Sequence, residues 1–333
     1  MRAVVGTDAM LLVRALRDPT SVLDLDADGW TALLTIARAE QLAGTLAHRL
    51  HGLAVPPAVA ATLADARQIA EHARRTALWE ATVVARVLLP LGVTVVLLKG
   101  TAYAASGLAA GQGRSIGDCD ILVPREALET VETALIAAGW EWVKPDPYDD
   151  AYYRRWMHEL PPLIHRERDR MIDVHHTILP LTARPKPDAA ALIADAVPLG
   201  NGLSVLSPTD MIVHAAAHLF ADGDLAGGLR NLWDIRCLIE EFGKDRLADR
   251  AAHHGLTAPV ARAVRLAEAL FGDGRTTDHL FRRRLLARDG WGRAIRPATR
   301  LGFYVRSHWL RMPPAMLARH LWVKWRRGAP ARG

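Results

Sequence analysis

Two short apolar runs constrain this chain more than anything else in it. VTVVLL spans 93–98 and DCDILV spans 118–123. Both are brief and rich in apolar, partly β-branched residues, the mark of buried strands. Long stretches at helical spacing lie on either side. Helices need an apolar surface to cover, and a small sheet supplies one. The expected class is therefore α+β: a small mixed sheet with N-terminal and C-terminal helical regions around it.

The boundaries follow the change in texture. Residues 1–90 read as an N-terminal helical region. Thr7 could cap a short helix ending near Asp18, and Asp28 could cap another from Trp30 to His51, stopped by Gly52. Pro56 and Pro57 open a long helix whose apolar positions include Ala66, Ile69, Ala70 and Ala73, ending at Pro90 and Gly92. Residues 91–206 mix strands and helices. After DCDILV, Pro124 opens a helix that stops at Gly139, and Trp140–Val143 could be a third strand. HRERDRM at 165–171 reads as a turn before a strand from Met171 to Ile178. Residues 207–333 return to helices with a basic end. Ser207 and Asp210 resemble a cap, Leu229–Phe242 is amphipathic and closed by Gly243, and breaks are expected at Pro297 and Pro313-Pro314.

Composition narrows the setting. Two cysteines, Cys119 and Cys237, cannot build a disulfide framework or a cysteine zinc site, so a reducing cytoplasm is expected. The most apolar stretch, Val87 to Leu98, contains Pro90 and Gly92 and is too short to span a bilayer. No apolar signal core precedes Asp8. The net charge of +6 is uneven: residues 244–333 carry 20 Lys/Arg and 6 Asp/Glu, while the rest of the chain is net acidic. Such a basic end reads as a surface for a polyanion or as a solvated helix face. Trp322 and Trp325 among Lys324, Arg326 and Arg327, and the run Arg282-Arg283-Arg284, carry the same two readings.

The chemistry concentrates in the central segment. Asp118 and Asp120 are two apart in a strand, so both carboxylates share a face, while Cys119, Ile121 and Val123 turn to the core. Two such carboxylates repel unless a divalent cation lies between them. Asp173, in Asp173-Val174-His175 on another strand, could face them as a third. Lys99-Gly100-Thr101 ends the first strand in a glycine turn, the kind that cradles phosphate on backbone N–H groups. Arg114 lies four residues before Asp118 and could meet a phosphate or the aspartates. Three carboxylates from two strands beside such a turn describe a two-metal phosphoryl-transfer site.

LLKGTAY, then RSIGDCDILV, then IDVHH resembles the nucleotidyltransferase superfamily with a polymerase-β-type palm. More narrowly it is similar to the bacterial branch with a Lys-Gly opening motif and R-x-x-x-D-x-D. The similarity covers about residues 85–240 and includes His214, His218, Arg230 and Asp234 downstream. The resemblance implies two Mg²⁺ ions, with Mn²⁺ as an alternative, held by Asp118, Asp120 and Asp173. It implies transfer of a nucleoside monophosphate from an NTP, ATP first among them, to a hydroxyl or phosphate acceptor with release of pyrophosphate. The acceptor would be a small molecule, a peptide or a protein. The usual opening motif is Gly-Ser, whose serine contacts the triphosphate. Here Thr101 would supply the hydroxyl and Lys99 a phosphate charge.

Other residues carry two readings each. His175 shares the face of Asp173 and could deprotonate an attacking hydroxyl or position a neighbour; His176 faces the other way. His214 and His218, four apart on one helix, could line a substrate pocket or simply pack. Arg230 and Asp234, at the same spacing, could line it too or pair with each other. Two rival functions use the same residues: a non-catalytic nucleotide- or partner-binding protein on this palm, and an enzyme acting on nucleic acid through the basic end.

Overall fold

A computed structural model describes residues 8–143 and 146–314, together with 317, 318 and 322. The chain opens with α1 (Met10–Arg17), α2 (Ala27–Ala39), α3 (Ala43–Arg49) and the 32-residue α4 (Pro57–Leu88). The cap of α2 is Asp26, whose side chain accepts from the Gly29 N–H at 2.8 Å, not Asp28. The single helix expected over Trp30–His51 is two. Gln41 sits in the left-handed region (φ 57°), and the Leu42 N–H turns back to the Ala37 carbonyl at 2.7 Å. Thr7, expected as a cap, lies outside the described residues.

In α4 the buried positions Val59, Leu63, Ala70, Ala77, Ala81, Val84 and Leu88 recur three, four or seven apart, one stripe of a helix. Ile69, expected on that stripe, is 67% exposed.

The central sheet has seven strands, in spatial order β3-β4-β5-β2-β1-β7-β6. They are β1 (Val96–Leu97), β2 (Asp118–Leu122), β3 (Trp140–Trp142), β4 (Leu163–His165), β5 (Met171–His175), β6 (Val197–Pro198) and β7 (Ser204–Val205). β2 runs parallel to β5 and β1 parallel to β7, and the other pairs are antiparallel. This is the mixed sheet expected for the palm. β1 is shorter than the apolar run that announces it, although Leu98 N–H still donates to the Asp120 carbonyl at 2.9 Å. β5 ends at His175, short of Ile178.

Four helices accompany the sheet: α5 (Lys99–Ala105), α6 (Leu128–Ala137), α7 (Pro147–Trp156) and α8 (Ala189–Ala194). Pro124 leads into a short 3₁₀ turn, Arg125–Ala127, ahead of α6.

The helices return with α9 (Pro208–Ala217), capped by Ser207, whose hydroxyl accepts from the Asp210 N–H at 3.3 Å. A π-helical turn follows at His218–Asp222, then α10 (Gly228–Phe242), closed by Gly243 at φ 77°. After α11 (Leu247–His253), α12 (Thr257–Phe271) and α13 (His279–Leu285) comes α14 (Pro297–Arg311). Pro297 does not break a helix; it starts α14 at the first turn, where its missing N–H costs nothing.

One apolar core runs from Ala9 to Phe303 through all three segments. Glu40, 3% exposed, fastens the two ends together. It accepts from Arg288 Nε at 2.7 Å and from the Leu229 N–H at 3.3 Å.

Candidate active site

Parallel pairing of β2 with β5 sets Asp120 opposite Asp173. Alternation along β2 puts Asp118 on the same face, so one carboxylate oxygen from each of Asp118, Asp120 and Asp173 lies within 4.8 Å of the others. Asp118 is exposed at the mouth, Asp120 is 3% exposed, and Asp173 lies between those extremes. Leu122, next on this face, is fully buried, so the aspartates open to solvent only at the Asp118 end.

The three carboxylates differ in what satisfies them. Asp120 Oδ1 accepts from Lys99 Nζ at 2.8 Å and lies 3.1 Å from His175 Nε2. Burial would raise its pKa, but the Lys99 charge and the His175 hydrogen bond outweigh burial and hold it well below the usual carboxylate range. Lys99 shows the converse. Burial would lower it, and the Asp120 charge keeps it above its ordinary value. Desolvation and the Asp120 charge push Asp118 up. Asp173 is raised further, to about 7, by burial first and then by Asp120 and Glu159. Its Oδ1 is buried without a hydrogen-bond partner. An orphaned carboxylate oxygen beside two more carboxylates is costly as it stands, and it is the donor set that a hard divalent cation such as Mg²⁺ or Mn²⁺ takes.

The turn after β1 is tightly built. Lys99 adopts φ 48°, a left-handed conformation that costs a side-chain-bearing residue about 1–2 kcal/mol. That conformation accompanies the Lys99–Asp120 ion pair. A Cβ on Gly100 would come within 2.5 Å of Arg114 Nε, so the missing side chain makes room for that guanidinium. Thr101 is buried, and its hydroxyl donates to the Asp118 carbonyl at 3.3 Å. Its hydroxyl ties the turn to β2, where the resemblance implies a triphosphate contact.

Arg114 pairs with Asp234, which also accepts from Arg230, and Arg230 Nη1 donates to Thr45 Oγ1 at 2.5 Å. Arg230 and Asp234 thus form a buried network with Arg114 and α3. The two readings of that pair meet here, because the internal ion pair is also what holds Arg114 beside the turn.

His214 is buried and His218 half-buried near Lys99 and His175. Burial first, then the Lys99 charge, drives His218 down to about 3 and His214 well below the imidazole range, so both stay neutral. His218 begins the π-helical turn, a feature that recurs at functional sites. His176 is buried, and its N–H donates to the His158 carbonyl at 2.9 Å.

Two residues beside the site are not visible from sequence reasoning: His158 and Glu159. The 158–160 segment pairs antiparallel with the end of β5, Leu160 N–H to the Val174 carbonyl and His176 N–H to the His158 carbonyl, both at 2.9 Å. Glu159 Oε2 consequently lies 3.5 Å from His175 Nε2. Their one signal is a His-Glu pair just before Leu160-Pro161-Pro162, a stretch with no strand pattern of its own.

Part of the basic end is neutralised internally. Arg288 pairs with Glu40, Arg262 and Arg265 with Asp278, and Arg250 with Asp210. Of the Arg282–Arg284 run, Arg284 is buried 3.8 Å from Asp224, while the other two are exposed. Trp322 is 50% exposed, and Lys324, Trp325, Arg326 and Arg327 lie outside the described residues. Among the described residues no helix is long and apolar enough to cross a membrane.

A search among curated proteins finds no match. A family model described as "Uncharacterised nucleotidyltransferase" matches residues 26–272, well over half the chain, a span that holds the three aspartates, the Lys99 turn and the Arg114–Asp234–Arg230 network. With that match added to the mixed-sheet palm and its paired acidic strands, the chain belongs to this nucleotidyltransferase family and is an enzyme of the nucleotidyltransferase type.

Proposed function

We propose that the protein moves a nucleoside monophosphate from an NTP, ATP first among them, to a hydroxyl or phosphate group on an acceptor, releasing pyrophosphate. The acceptor is a small molecule, a peptide or a protein. Asp118, Asp120 and Asp173 would hold two Mg²⁺ ions, or Mn²⁺ in their place. Bound there, the ions would offset charge on the phosphates and lower the pKa of an oxygen nucleophile. The observation that carries this reading is the Asp120–Asp173 register together with the orphaned Asp173 Oδ1.

The chain's own groups divide the remaining work. Lys99 and Arg114 are the cations beside the carboxylates, and both favour the phosphates of an incoming NTP. Gly100 and Thr101 serve them by fixing the turn. His175, 2% exposed and against Asp120, orients that carboxylate. An acceptor hydroxyl would have to reach a closed imidazole for His175 to take its proton, so positioning is the better-supported role. The neutral His214 and His218 would shape the acceptor side.

The test is Mg²⁺-dependent pyrophosphate release from ATP, with a low-molecular-mass cell extract as the source of acceptor. Wild type should turn over, and folded Asp118→Asn and Asp120→Asn should not. Turnover near wild type in either variant would defeat the assignment of the aspartates.

A further inference from the structure

Beside the aspartates lies a second cluster of different chemistry. The 158–160 segment is stitched to β5 so that Glu159 stands opposite His175. The rings of His158 and His175 lie 5.1 Å apart, tilted by 37°. One ligand atom from each of His158, Glu159 and His175 falls within 4.8 Å of the others. His175 Nε2 is 3.5 Å from Glu159 Oε2, and His158 Nε2 is 3.9 Å from the same oxygen. Both separations are longer than good N–H···O hydrogen bonds of ~2.7–3.2 Å. They approach the edges of a tetrahedron built on ~2.0–2.1 Å metal–ligand bonds, which are ~3.3–3.4 Å. His158 is 9% exposed and His175 2% exposed, and each has an Nδ1 buried without a partner. Asp120 accounts for His175 Nε2 at 3.1 Å, but no hydrogen bond accounts for either buried Nδ1.

We propose that His158, Glu159 and His175 form a second metal site, one that takes a transition-metal cation such as Zn²⁺ or Co²⁺ rather than Mg²⁺. Two imidazole nitrogens and one carboxylate suit borderline-soft ions and leave a coordination position open. Mg²⁺ prefers the all-oxygen set that the three aspartates offer. The site stands whether or not those aspartates bind Mg²⁺. It also touches them. A metal on His175 Nε2 displaces the proton that this nitrogen would share with Asp120 at 3.1 Å, leaving Asp120 to Lys99.

The experiment titrates metal-free full-length protein with Co²⁺ and follows its visible absorption, with Zn²⁺ as competitor. Wild type should bind one Co²⁺ through nitrogen and oxygen ligands and release it to Zn²⁺. His158→Gln and Glu159→Gln should weaken that ion by at least ~10–100-fold, the loss that even outer-shell changes produce. Asp173→Asn should weaken it less than either glutamine variant, since Asp173 adds charge beside Glu159 but no ligand to this site. Equal Co²⁺ affinity in folded His158→Gln overturns the proposal, and so does an equal loss in Asp173→Asn. Should the glutamine variants fail to fold, ¹⁵N imidazole shifts in wild type decide: one equivalent of Zn²⁺ should move His158 and His175, and unmoved signals overturn the site.

Discussion

Asp173 shows how far a single side chain can be pushed by its surroundings. Burial and the Asp120 and Glu159 charges carry it from the ordinary carboxylate range of ~3.9 to about 7. Its folded pKa lies above its unfolded one, so its neutral form favours folding below about pH 4, and that contribution is lost as pH rises through 7. In metal-free protein, Asp173→Asn should therefore match wild type near pH 4 and exceed it in Tm at pH 8. At ~1.4 kcal/mol per pKa unit the gain is a few kcal/mol at most. Melting curves across that range in a chelator check it, and a variant less stable than wild type at pH 8 would contradict the assigned cause. Lys99 answers the opposite need. Removing its charge leaves Asp120 buried against His175 alone, so metal-free Lys99→Met should lose ~3–5 kcal/mol in denaturant titrations. Mg²⁺ should restore part of that loss, and an unchanged midpoint would deny Lys99 its structural share. The same-face aspartates were legible because strand alternation is a rule of period two. The partners of Thr101 and Gly100 were not, since both roles depend on Asp118 and Arg114 folding back onto the turn.

At the level of elements, the apolar runs around 93–98 and 118–123 announced β1 and β2, and the long Pro57–Leu88 helix followed from its spacing. What stayed hidden was pairing. β2 and β5 are separated by the α6–β3–α7–β4 excursion, and nothing local to either strand states their register. The break at Gln41 was hidden for another reason: a non-glycine residue in the left-handed region leaves no composition signal. That break swings α3 against the loop before β2, and two glycines permit the approach. A Cβ on Gly44 would lie 2.4 Å from the Gly113 carbonyl oxygen and 2.7 Å from Ala70 Cβ. Gly44→Ala must push apart α3, α4 and the loop that delivers Arg114, at a cost of about 1–3 kcal/mol in urea unfolding. A variant as stable as wild type would mean that α3 does not set this loop.

Across the whole molecule, the uneven charge is an assembly device as much as a surface. Acids from before residue 244 meet arginines after it: Glu40 with Arg288, Asp224 with Arg284, Asp8 with Arg296. Composition revealed the basic end and suggested a polyanion, but some of the acids that consume part of it, Glu40 and Asp8 among them, lie far away in sequence. The arrangement closes both helical regions around one sheet, whose central strands β1 and β2 are buried apart from Asp118. Whether these carboxylates hold a metal can be tested without knowing the acceptor. The measurement is a calorimetric titration of Mn²⁺ into chelator-treated protein with a non-hydrolysable ATP analogue, for wild type, Asp120→Asn and Asp173→Asn. Wild type should bind Mn²⁺ in the presence of the analogue, and each folded variant should bind it at least ~10-fold more weakly. Equal Mn²⁺ affinity in all three proteins would mean that Asp120 and Asp173 are not metal ligands.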